Sequence, residues 1–275
     1  MIEQRTIFIT GAASGLGRET ARLFAERGWY VGASDIDGPG LAALKAELGP
    51  NHVHTAIHDV TDREAWTRTI DSFSTVTGGR MDVFYNNAGI GVGGALEQMP
   101  EATAHKIIAV NLTGVVHGVY ACLPMLKATA TKTGQADLVN MGSAAGIFGA
   151  PGVAIYCATK FAVRGLTDSL YGELAQYGIR VSELQPAFLD TAILDTETDA
   201  EPGAGKARLE ALGQTVLPAR LAAQAVWNIA HAKTPKVHYA LGRPAQTIQL
   251  FARFLPKTMR ARLRKAFEAR PDALI

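Results

Sequence analysis

Apolar residues follow two alternating rhythms along this chain. Short apolar or β-branched runs stand at residues 6–10 ("TIFIT"), 29–34 ("WYVGAS"), 52–57 ("HVHTAI") and 81–89 ("MDVFYNNAG"). Three more follow at 136–142 ("ADLVNMG"), 179–186 ("IRVSELQP") and 236–241 ("KVHYAL"). Between them, apolar side chains return every three or four positions, the period of an amphipathic helix. "RETARLFAERG" closes at Gly28 and "GLAALKAEL" at Gly49-Pro50; helical spacing also covers residues 62–78, 101–130 and 153–177. A glycine or proline just past the last periodic residue is a helix stop. Runs apolar on both faces, alternating with helices, predict an α/β fold. It would be a doubly wound parallel sheet of about seven strands, with helices on both faces and right-handed crossovers. No linker, repeat or low-complexity tract breaks the pattern, so residues 1–242 are expected to form one domain.

The pattern changes after residue 242. Ile248, Phe251 and Leu255 lie at helical spacing, and beyond Pro256, Met259, Leu263 and Phe267 repeat every four positions. Arg253, Lys257, Arg260, Arg262, Arg264 and Lys265 precede the first acid, Glu268. Residues 243–275 are therefore expected to form a basic, amphipathic helical extension of two short helices. Packing on the domain, covering the site, joining a subunit interface and touching an anionic membrane all fit it, the last being the least favoured. Its cations lack interleaved aromatics, which argues against nucleic acid.

Composition narrows the function classes. Of 275 residues 48% are hydrophobic and the net charge is +2, which excludes disorder and gives no sign of a polyanionic partner. The two cysteines, Cys122 and Cys157, supply neither a disulfide framework nor zinc spacing, so no metal is expected. With no leader-like start and no long uninterrupted apolar run, a cytoplasmic protein without a spanning helix is expected.

Between the first strand and first helix stands "TGAASGLGRE", with Gly11, Gly15 and Gly17 spaced G-x3-G-x-G. Glycines there allow a tight turn and close backbone approach to a pyrophosphate, and the following helix N-terminus favours anions. A plain βα turn would use glycines too, so the triplet alone is weak. Asp35, ending the second strand, strengthens it: an acid there can accept from both adenosine ribose hydroxyls. It also repels a 2′-phosphate, and no Lys or Arg stands at Ser14 or Ile36 to offset one. NAD is expected over NADP.

Tyr156 and Lys160 stand four residues apart in "AIYCATKFAV", on one helix face. An ammonium nearby favours the phenolate, and a phenol so tuned can take the hydroxyl proton of an alcohol. In isolation the pair reads equally as a packed tyrosine beside a snorkelling lysine. Ser143, at the end of the fifth strand, can orient a substrate oxygen. Asn111, a poor mid-helix residue, suggests a kink with an exposed carbonyl.

Taken together, these motifs make the chain resemble the short-chain dehydrogenase/reductase family in its single-domain form, over about residues 4–242. The resemblance rests on "TGAASGLG", Asp35, Asp59-Val60, "NNAG" ending at Gly89, Asn111, Ser143 and "YCATK". It implies a Rossmann-type fold, with Gly11, Ser14, Gly15, Leu16, Gly17, Asp35 and Ile36 on the dinucleotide and Asp59 and Val60 against adenine. Asn87, Ala88 and Gly89 would lie along the cofactor, partly as scaffold. Tyr156 would be the general acid/base and Ser143 would orient the substrate. Lys160 would bond the nicotinamide ribose, and Asn111 would anchor a water leading to solvent. Pro186, Leu189 and Thr191 would meet the carboxamide, although "PAFLDT" has Ala187 where the family usually has glycine. The implied activity is NAD-dependent hydride transfer between a secondary alcohol and a ketone. The implied assembly is a homodimer or homotetramer through the helices at 101–130 and 153–177.

Val92, Leu96, Met99, Ile147 and Phe148 suggest apolar pocket walls, and the polar stretch around residues 188–218 a lid. Two alternatives remain: a catalytically silent nucleotide sensor, and the same fold running epimerase or dehydratase chemistry. The complete Asn111, Ser143, Tyr156, Lys160 set speaks against the first, and only a substrate screen separates the second.

Overall fold

A computed structural model describes residues 4–191, 194, 204–211 and 213–269. All seven expected strands form: β1 (Thr6–Thr10), β2 (Tyr30–Asp35), β3 (Val53–Ile57), β4 (Val83–Asn86), β5 (Ala136–Met141), β6 (Ile179–Pro186) and β7 (His238–Leu241). They join into one parallel sheet of order β3-β2-β1-β4-β5-β6-β7. The order reverses between β1 and β4. That switch point opens a crevice beyond the strand C-termini, where ligands bind in doubly wound sheets.

Local chemistry sets the helices. α1 (Gly15–Glu26) starts directly from the glycine loop. α2 (Gly38–Leu48) begins at Asp37, whose carboxylate accepts from Gly40 N at 3.0 Å. α3 (Arg63–Thr77) begins at Asp62, which accepts from Glu64 N and Ala65 N, and it stops at Gly78 in the left-handed region. The expected helix over 101–130 is instead α4 (Glu101–Ile108), a π turn (Ala109–Thr113) and α5 (Gly114–Thr133). The irregular turn centres on Asn111, where the kink was expected. α6 (Ala154–Ala175), α7 (Ala204–Ala211) and α8 (Ala219–His231) follow.

Two cores flank the sheet. On one face Ile7, Ile9, Val31, Val83 and Val139 pack with Phe24 of α1, Leu41 of α2 and Val226 of α8. On the other, Phe8, Phe84, Leu138 and Val181 pack with Trp66 and Phe73 of α3, Leu126 of α5 and Leu170 of α6. The strands buried on both sides explain their continuous apolar runs. The run Glu101–Thr133 is long and apolar enough to cross a membrane. Its Val115, Val119, Cys122 and Leu126 are instead buried, as in a core helix.

The extension forms α9 (Gly242–Phe254) and α10 (Pro256–Ala269), parted at Pro256 as its sequence predicts. Ala245 is buried, and the Arg260 guanidinium sits 5.5 Å from the Phe148 ring centroid, so the extension lies against the loop after β5. Leu250, Phe254 and Leu255 stay exposed. The side chain of Phe267 and residues 192–193, 195–203 and 212 of the expected lid lie outside the described residues.

Candidate active site

The glycine loop is built for close approach. Gly11 (φ 67°) and Gly15 (φ 50°) are left-handed, and a methyl on Gly17 would lie 2.0 Å from Gly11 O. The loop is held from behind by Thr10, a residue the motif reading passed over. Thr10 Oγ1 accepts from Asn87 N at 3.0 Å and Ala88 N at 2.9 Å. Asn87 Nδ2 in turn donates to Thr10 O and Gly11 O at 2.8 and 3.2 Å. Asn87 and Ala88 thus fasten β4 to β1 across the switch point. The visible signal for Thr10 was a polar residue closing a buried strand at the ligand-binding edge.

Asp35 ends β2 beside this loop. Its carboxylate accepts from Ala13 N at 2.9 Å and Asp37 N at 3.1 Å, both neutral backbone donors. Arg18, next to the last loop glycine, donates to Glu47 at 2.9 Å and to Ala13 O at 3.4 Å. Ile36 projects an apolar side chain that is 71% exposed on the rim. Asp59 is occupied by its own turn, accepting from Thr61 N and Thr61 Oγ1 at 2.8 Å. Val60 is buried against Gly114, so its side chain is chiefly core. Ser14 precedes α1 with extended backbone and makes no side-chain cap, and Leu16 is buried. Pro186 closes β6, Leu189 bridges to Leu217, and the Thr191 methyl lies over Gly15. The loop containing Ala187 therefore still returns to the glycine loop. The tight glycine cradle, the Asp35 carboxylate beside it and the exposed Ile36 side chain fit a dinucleotide.

Ser143, Tyr156, Lys160 and Asn111 converge at the same edge. Asn111 exchanges two bonds of 2.8 Å with the Ile90 backbone, and its Nδ2 comes 3.5 Å from Thr159 Oγ1. A methyl on Gly89 would sit 3.3 Å from Asn111 Oδ1 and 3.8 Å from Lys160 Nζ, so Gly89 keeps this corner open. Lys160 is buried and donates to Met141 O at 2.8 Å. Ser143 Oγ accepts from Ala145 N at 3.1 Å and lies near enough to the Tyr156 phenol to favour its ionised form.

The i, i+4 spacing predicts an ammonium that acidifies the phenol, and here the structure differs. Burial pushes the Tyr156 pKa up, with Ser143 as the group that opposes it. Lys160 Nζ stands 5.5 Å from the ring centroid, and burial pushes its own pKa down to about 8 against the pull of Glu183. Spacing reveals which groups meet; the sign of the shift depends on desolvation, which spacing does not carry.

Two cavities lie at the loops that follow β5 and β6. One, of about 460 Å³, is lined by Phe148, Pro151, Ala154, Cys157, Arg260 and Leu263. The other, of about 660 Å³, is lined by Phe188, Leu217, Arg243, Pro244 and Ile248. Both take a wall from the C-terminal extension. Of the expected apolar pocket residues, Ile147 is buried, Val92, Met99 and Phe148 are partly buried, and Leu96 is exposed.

The family model for short chain dehydrogenases matches residues 5–202. The chain is 36% identical over 196 residues to the 3-oxoacyl-[acyl-carrier-protein] reductase FabG of Thermotoga maritima, covering 70% of this chain and 78% of that one. It is 35% identical over 194 residues to a 3-alpha-(or 20-beta)-hydroxysteroid dehydrogenase of Mycobacterium bovis, covering 70% and 71%. A short chain dehydrogenase/reductase from Burkholderia phymatum, solved with NAD, superposes with a TM-score of 0.78 at 27% identity, covering 95% and 97%. Other solved neighbours hold NADH or NADP+.

Proposed function

The chain belongs to the short chain dehydrogenase family of oxidoreductases, and on that premise we propose that it interconverts an apolar secondary alcohol and its ketone with NAD, using Tyr156 as general acid/base. The observation that carries this reading is the meeting of the Tyr156 phenol with the Ser143 hydroxyl at the C-terminal edge of the sheet, with Lys160 buried beside them. A nucleotide sensor has no need of that cluster.

Gly11, Ser14, Gly15, Leu16 and Gly17 would hold the pyrophosphate, Asp35 and Ile36 the adenosine, and Asp59 with Val60 the adenine edge. Asn87, Ala88 and Gly89 would line the middle of the dinucleotide. Lys160 and Tyr156 would bond the nicotinamide ribose, and Pro186, Leu189 and Thr191 would meet the carboxamide. Bound nicotinamide supplies or accepts the hydride. Asp35 favours NAD because its carboxylate meets only neutral donors and would repel a 2′-phosphate, while Arg18 divides its guanidinium between Glu47 and Ala13 O.

Ser143 holds the substrate oxygen against Tyr156. In oxidation Tyr156 takes the hydroxyl proton; in reduction it gives one. Burial keeps the phenol protonated near neutral pH, the form that donates to a ketone oxygen. Asn111 would anchor water through the irregular turn it occupies.

Residues 1–242 would be the catalytic domain and 243–275 a lid rather than a membrane anchor, since Arg260 and Leu263 of the extension line a cavity with Ala154 and Cys157, which flank Tyr156 on α6. The apolar lining supports a hydrophobic substrate. Tyr120, Phe161 and Tyr171 are exposed on α5 and α6, which supports a homodimer or homotetramer through those helices. Two unpaired, buried cysteines suit a reducing cytoplasm. A screen of apolar secondary alcohols and ketones, read by NADH absorbance with NAD(H) and NADP(H), tests the reading. NAD(H)-dependent turnover supports it; inertness with every alcohol and ketone in both cofactor forms overturns it.

A further inference from the structure

Beneath α6 the inner face of the sheet changes character. Leu138 of β5 and Val181 of β6 belong to the core. Two residues nearer the catalytic edge, their successors on that face are Asn140 and Glu183, paired in register, then Gly142 and Gln185. Glu183 is 0% exposed, inside a strand that is buried along nearly its whole length. A carboxylate there is unfavourable unless partners compensate for its lost hydration.

Its partners form a column to the surface. Glu183 Oε2 accepts from Gln185 Nε2 at 2.8 Å and lies 2.7 Å from His238 Nδ1. The other nitrogen of His238 lies 2.8 Å from Asp168 Oδ1, an exposed carboxylate on α6. Glu183 Oε1 has no hydrogen-bond partner. It presses so close to Gly142 that a methyl on that residue would come within 2.0 Å. The carbonyl just before Gly142, Met141 O, is the one that holds the Lys160 ammonium. Glu183 and Lys160 therefore flank a single peptide unit.

We propose that Glu183 is a positioning residue for Lys160: its buried carboxylate, tied through His238 to Asp168 at the surface, keeps the ammonium charged and aimed at the catalytic edge. The proposal rests on the reading that Lys160 serves the nicotinamide ribose. The titratable groups facing this layer are Tyr156, Lys160 and Asp168 from α6, Glu183 from β6 and His238 from β7. Arg164 of α6 turns to Gly146 O at 3.5 Å, and β5 contributes the neutral Asn140. Burial drives Lys160 toward its neutral form, and Glu183 is the charge that opposes it. Glu183 also leads the groups that raise His238, which favours a donating imidazolium between two carboxylates.

The test is NADH affinity from neutral to alkaline pH, measured by fluorescence in a Tyr156→Phe background so that the phenol does not titrate. Affinity should fall through an alkaline midpoint that Lys160→Met abolishes. Glu183→Gln should move that midpoint about one pH unit lower, the scale of a lost opposite charge, and Glu183→Asp should return it toward the parent. A merely structural Glu183 would lower the melting temperature and leave the midpoint in place, and that result overturns the proposal. Should Glu183→Gln not fold, the double variant Glu183→Gln/His238→Gln removes donor and acceptor together and must show the same shift. A parent protein that fails to bind NADH, or binds it with no alkaline limb, overturns the reading of Lys160 and the proposal with it.

Discussion

Asn111 and Ile90 exchange two hydrogen bonds of 2.8 Å, the carboxamide of one closing on the backbone N–H and C=O of the other. Asn111 is fully buried in a π turn, and Ile90 lies in the loop that follows β4. The irregular turn and the loop bordering the site are thus one unit. Asn111→Ala leaves both Ile90 groups without their partner, which costs about 1–3 kcal/mol. Urea unfolding should show that loss, together with weakened NADH binding, because the freed loop carries Gly89 with it.

Asp35→Asn keeps an acceptor for Ala13 N and removes the charge that opposes a 2′-phosphate. NADH affinity should fall several-fold and NADPH affinity should rise. Parallel fluorescence titrations measure both. A parent enzyme that already prefers NADPH contradicts the cofactor assignment.

Because burial raises the Tyr156 pKa, the two directions of reaction should depend on pH with opposite sign. Oxidation needs the phenolate, so its rate should climb as pH rises through the alkaline range. Reduction needs the phenol, so its rate should hold at neutral pH and fall over the same range. Initial rates in both directions at saturating cofactor check this.

His58 is 2% exposed against the Trp66 ring, its centroid 4.3 Å away, and burial lowers its pKa to about 4. Between pH 6.5 and about 4 the unfolded chain binds a proton there that the folded chain refuses. Stability should therefore fall as pH drops through that window, by up to about 3 kcal/mol. Denaturant midpoints of the parent against His58→Phe should show a flatter acid limb in the variant.

Much of this was legible in the chain itself. Buried parallel strands are apolar on both faces, so the seven runs stood out, and Asn111 marked its own irregular turn because asparagine suits a helix interior poorly. Asp59 reads as an adenine contact by resemblance; that its carboxylate also closes a turn with Thr61 is visible only in the fold. The Glu183–His238–Asp168 column was not legible, because it joins three elements far apart in sequence. Its one local sign was an acid, Glu183, within "IRVSELQP". The direction of the Tyr156 shift was hidden for a related reason: desolvation belongs to the packed protein.

Exposed Tyr120 (67%) and Phe161 (44%) on α5 and α6 should become subunit contacts. Tyr120→Lys with Phe161→Lys should shift the protein to smaller assemblies, read by light scattering after size exclusion. An unchanged mass would place the interface elsewhere.

The most direct measurement is turnover by Tyr156→Phe on whichever alcohol or ketone the parent accepts, followed by NADH absorbance, with cofactor binding measured on the same sample. Loss of turnover by about two to four orders of magnitude, with NADH still bound, is the expected result. Near-parental turnover with the ring present and its hydroxyl gone would contradict the assignment of Tyr156 as the proton-transferring group.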